Sequence, residues 1–82
     1  MSACNSDIHR QALALIDRGD WDAAHRLVQP HGDRLSCLIH AWLHREEGDR
    51  GNAAYWYGRA GEPFPDNSLE EELERLRGLV EQ

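Results

Sequence analysis

The sequence predicts an all-α domain of antiparallel helical hairpins, about five helices in all, and three observations predict it. Apolar residues recur at helical spacing along the chain, no stretch alternates with the period of two that marks a strand, and a Gly-Asp pair at 19–20 returns at 48–49 between amphipathic segments. A glycine that stops one helix, followed by an aspartate that caps the next, is the signature of a tight hairpin.

Asn5 and Ser6 offer N-cap oxygens ahead of Ile8, Ala12, Leu13, Leu15 and Ile16, which predicts a first helix over about 6 to 18, ended by Gly19. Asp20 caps a short second helix with Trp21, Ala24, Leu27 and Val28 on one face, and Pro30 and Gly32 stop it. Asp33 opens a third helix with Leu35, Leu38, Ile39, Trp42 and Leu43 on one side, closing at Gly48. The fourth starts after Asp49, carries Ala53, Ala54, Tyr55, Trp56, Tyr57 and Ala60, and ends before Gly61, Pro63 and Pro65. A turn over 62–67 leads to a last helix opened by Asn67 or by Ser68 with Glu71 as a capping box, and its stripe is Leu69, Leu73, Leu76 and Val80.

The 82 residues make one domain, 1–82, organised as hairpins 6–32 and 33–61 and a capping helix 67–82. An apolar fraction of 40% supports a core, and a net charge of −6, with nine Arg and no Lys, gives no footprint for nucleic acid or an anionic membrane. The expected location is the cytoplasm: the N-terminal residues lack a signal-peptide pattern, and Cys4 and Cys37 make no disulfide framework.

Superposing the two Gly-Asp pairs aligns 8–31 with 37–60 at a period of 29 residues. Small residues then coincide before each glycine (Ala12, Ala41) and after it (Ala24, Ala53), followed by Val28 or Tyr57, and in the second copy by Ala60 and Pro65. This series resembles the tetratricopeptide repeat, and the run from Asn52 to Gly61 is similar to the closing helix of Sel-like repeats. In the first copy His31 and Ser36 replace the family's alanine and proline, and His40 and His44 stand where it prefers bulky apolar residues.

The resemblance implies a scaffold that binds an extended peptide or a helix in a groove lined by the first helix of each hairpin; the expected function is a module without enzymatic activity or cofactor that presents this groove and an aromatic patch to a peptide, a helix or a second copy of itself. Its lining would include His9, Leu13, Ile16 and Asp17 from the first helix and Leu35, Leu38, Trp42, Arg45 and Glu46 from the third, with Trp42 and Leu38 as anchors. The competing reading makes Leu35, Leu38 and Trp42 core. Successive aromatics Tyr55, Trp56 and Tyr57 advance about 100° each, so they cannot all face one core, and Tyr55 and Trp56 join the expected partner surface.

An alternative function class rests on Cys37, His40 and His44, whose spacing of three and four puts a thiol and two imidazoles on one helix face, with His25 as a conceivable fourth ligand. That pattern is the one expected of a small metal-binding or metal-sensing protein. An acid–base reading of His44, Glu46 and Glu47 is weaker, since a charged helix end beside a turn is ordinarily solvated surface, and no phosphate loop or nucleophile elbow is present.

Overall fold

The computed structural model describes residues 5 to 81 and contains five helices: α1 Ser6–Asp17, α2 Trp21–Val28, α3 Arg34–Glu46, α4 Arg50–Arg59 and α5 Leu69–Val80. No strand occurs among the described residues. Cys4 and Gln82, which figured in the sequence reading, lie outside them.

Each Gly-Asp pair at a hairpin turn both stops and starts a helix. The chain enters the left-handed region at Gly19 (φ +76°) and Gly48 (φ +91°), which a Cβ disfavours. The amides of Gly19 and Asp20 return to the carbonyls of Ile16 and Leu15, and those of Gly48 and Asp49 to Arg45 and His44, closing each helix as a Schellman motif. The same aspartates then cap the next helix: Asp20 Oδ1 accepts from the Ala23 amide at 3.2 Å, and Asp49 Oδ1 from the Asn52 amide at 3.2 Å. Such caps contribute about 1 kcal/mol each.

Asp33 caps α3, and Ser68 with Glu71 forms the expected capping box on α5. Asn5 departs from expectation. It stands at the N-cap position of α1, but its side chain accepts no hydrogen bond from the α1 backbone amides, and its amide nitrogen donates to Asp33 instead.

Small residues set the hairpins. Ala12 with Ala24, and Ala41 with Ala53, are fully buried where α1 meets α2 and α3 meets α4. All nine residues from Ser36 to His44 are buried, so α3 presents no solvent face along its centre. Its surroundings explain this: α1, α2, α4 and α5 all pack on it.

The groove expected along α1 and α3 is therefore filled by the chain's own last helix. α5 rests on α3 and α1; Trp42 Nε1 donates to the Leu69 carbonyl at 2.9 Å, and Arg77 pairs with Asp17. Leu13, Leu38 and Trp42 are 6%, 0% and 4% exposed, which makes them core rather than partner anchors. The physical reason is the stripe of α5, whose Leu76 and Val80 are buried and whose Leu69 and Leu73 are half-buried: it needs an apolar bed, and the groove supplies one.

A polar knot locks the same junction. Glu72 of α5, fully buried, accepts from Tyr57 Oη at 3.0 Å, from Asn67 Nδ2 at 2.9 Å and from Arg75 through two 2.9 Å bonds. Burial pushes its pKa up, but the hydrogen bonds from Arg75, Asn67 and Tyr57 outweigh that and hold it below the usual carboxylate value. Arg45 joins from α3, donating to Asn67 Oδ1 at 3.0 Å and to the Asn67 carbonyl at 2.6 Å.

Candidate functional site

On α3, His40 and His44 are four residues apart and so lie on one face. That face meets α2 and α4. His25 of α2 approaches from one side, Trp56 of α4 from the other, and Trp21, four residues before His25, extends the row. Trp21 stacks on His25 at 4.8 Å, His25 meets His40 edge-on at 4.6 Å, and His40 stacks on Trp56 at 3.9 Å. His44 sits 5.2 Å from His25 and 4.9 Å from His40, so three imidazoles are enclosed between two indoles.

The polar geometry of this seam is specific. His25 Nε2 and His40 Nε2 are 3.0 Å apart, which one proton shared between two neutral rings satisfies. His44 Nδ1 lies 2.7 Å from Glu47 Oε2, an arrangement in which the ring nitrogen donates to the carboxylate. Trp21 Nε1 donates to the Leu43 carbonyl at 2.8 Å and fixes the outer indole. Burial, then repulsion from His25 and His44, drives His40 down to about 3, and burial followed by the charge of His44 lowers His25. Both rings are neutral near pH 7.

One atom stands out within the seam. His40 Nδ1 is buried and has no hydrogen-bond partner among the described residues. Such a group costs about 1–3 kcal/mol, a penalty that an apolar residue here would avoid.

Of the metal-ligating residues expected from the sequence, Cys37, His40 and His44 with His25 as a fourth, the structure brings the three histidines together. His25, His40 and His44 bring one ligand atom each within 4.8 Å of one another, and a second set joins His44, Glu47 and Asp49. Cys37 belongs to neither set; it is a buried free thiol, and burial raises its pKa. Helical spacing placed Cys37 near His40 along the helix, but the seam runs across helices toward α2 and α4.

The remaining expected residues scatter. His9 is 6% exposed and bonds Asp33 Oδ2 at 2.8 Å and Ser36 Oγ at 3.1 Å, tying α1 to the start of α3. Arg45 is engaged at the α5 junction, away from any open groove. Glu46 is exposed at the rim of a shallow cavity of about 310 Å³ that it lines with Ile16, Gly19, Trp21 and Glu47; partial loss of solvent against these neighbours raises its carboxyl pKa. The aromatic triplet divides: Tyr57 is in the core, Trp56 is half-buried against His40, and Tyr55 is 54% exposed.

Sequence reasoning missed Trp21 and Trp56 as partners of the histidines, and it grouped Glu47 with His44 only as an acid–base set. The signal that was available is Trp21 preceding His25 by four residues on one helix, which stacks the two rings. Compared with known proteins, the chain matches no family model, and no curated protein or solved structure shows significant similarity to it.

Proposed function

We propose that this is a non-enzymatic, cytoplasmic interaction module that receives a peptide, a helix or a second copy of its own chain on the outer face of α4. The observation that carries the reading is Tyr55, the large hydrophobic side chain that stands 54% exposed among the described residues. Its setting is ordered: Arg59 Nη1 donates to Tyr55 Oη at 3.2 Å, and the guanidinium lies 5.9 Å from the Tyr55 ring and 5.1 Å from the Trp56 ring. Tyr, Trp and Arg are the side chains that most often anchor protein interfaces, and held in place they lose little entropy on binding.

Around this anchor, Gly51, Ala54 and Gly58 are exposed and small, so a partner backbone can come close to α4. The acidic balance of −6 favours a basic or neutral protein surface over nucleic acid or an anionic membrane. No helix is long and apolar enough to cross a membrane among the described residues.

A photo-crosslinking residue at position 55, expressed in the producing cell, tests the reading. The expected outcome is a discrete adduct, absent when the probe sits at exposed Gln11 on α1. For the captured partner, Tyr55→Ala weakens binding by about 2 kcal/mol, roughly 30-fold, while the melting temperature stays near wild type. Equal labelling from positions 55 and 11 contradicts the reading.

A further inference from the structure

The geometry points to a divalent transition-ion site, suited to Zn²⁺, in which His25, His40 and His44 supply three imidazole nitrogens between α2 and α3. Three ligand atoms already lie within 4.8 Å of one another. The closest pair, His25 Nε2 and His40 Nε2 at 3.0 Å, is near the edge of about 3.3 Å that tetrahedral coordination with Zn–N bonds of about 2.0–2.1 Å requires. An ion between them takes the place of the single shared proton, and His25, half-exposed at the seam's margin, can adjust by rotation of its own side chain.

His44 is backed by a carboxylate. Its Nδ1 faces Glu47 at 2.7 Å, which leaves Nε2 with the free lone pair and reproduces the carboxylate–histidine pair that raises the basicity of metal-bound imidazoles. The other two rings are held by stacking, His25 on Trp21 and His40 on Trp56. Preorganisation of this kind removes ordering entropy from the cost of binding. Three nitrogen donors select a borderline ion over Ca²⁺ or Mg²⁺, which require oxygen, and they leave a fourth position for water or an exogenous ligand. A purely structural role for the cluster explains neither three adjacent imidazoles in a mostly buried seam nor the carboxylate behind the third.

The test uses the full chain, untagged and stripped of metal, titrated with Co²⁺ and then Zn²⁺ while the visible d–d bands are followed. The expected result is one Co²⁺ per chain with the intense bands of tetrahedral coordination, displaced stoichiometrically by Zn²⁺. His25→Phe keeps the stacking on Trp21 and the helical circular dichroism but loses the bands, whereas His31→Ala keeps both. Glu47→Gln weakens Zn²⁺ binding about 10- to 100-fold. Two results overturn the site: no ion bound to the folded wild-type chain, or binding unchanged in His25→Phe, including the case in which that binding then disappears in Asp49→Asn. The last outcome transfers the ion to the set formed by His44, Glu47 and Asp49.

Discussion

At Asp33 a single carboxylate caps α3 through the Ser36 amide at 3.1 Å, meets His9 Nε2 at 2.8 Å and accepts from the Asn5 amide. Burial pushes its pKa up, but the bonds from Ser36, His9 and Asn5 prevail and bring it from 3.8 to about 2. A folded-state pKa below the unfolded one gives stability that is complete above about pH 4 and is lost as the pH falls toward 2. For a group partly open to solvent this contributes about 1–2 kcal/mol. Thermal melts between pH 5 and pH 2 should therefore show an acid limb that Asp33→Asn flattens, since the amide has no proton to take up. The sequence announced Asp33 as a cap, because capping is local. It could not announce His9 as the partner across 24 residues, and the repeat pattern turned that histidine toward a groove instead.

Helices, turns and caps were legible because each is written within a few residues. The stop at Gly48 is a good instance: a positive φ of +91° with nothing within 4 Å of a would-be Cβ means that any penalty for a side chain is one of backbone conformation alone. Gly48→Ala is expected to lower stability by about 1–2 kcal/mol, and D-alanine at the same position, introduced by chemical synthesis, to restore it. Denaturant unfolding of the two variants measures the difference. What the elements pack against was less legible. The stripe of α5 states that the helix must bury one face but not which surface receives it; a cap at the end of a solenoid and a helix lying in the groove use the same leucines. Glu72 carried a hint, since a carboxylate three residues after Leu69 and four before Leu76 interrupts the apolar stripe. Its partners Tyr57, Asn67 and Arg75 come together only in the folded packing, so the buried knot they form with it was not legible from the stripe.

On the scale of the molecule, four helices enclose α3 in a closed body. The Cα radius of gyration of 11.6 Å agrees with about 12 Å for a compact domain of this size, whereas an open two-hairpin fragment with a free concave face would be more extended. Closure moves any recognition from the groove to the outside, where Tyr55 stands on α4, and it presses α3 against α2 and α4 so that the imidazole seam is assembled. The seam was half visible in the chain: His40 and His44 share a face by spacing, but His25 joins them only through the packing of α2 on α3, which spacing does not encode.

The claim on which the rest depends is that α5 covers Trp42, and hydrogen exchange of the indole protons followed by NMR tests it most directly. Each resonance can be assigned by a Trp→Phe replacement. With Nε1 of Trp42 bonded to the Leu69 carbonyl, its proton should exchange only on opening of the fold, as slowly as the most protected α3 amides, while Trp56, for which no such bond is seen among the described residues, exchanges far faster. A Trp42 indole that exchanges as fast as that of Trp56 would mean that the groove is open and α5 is not its occupant.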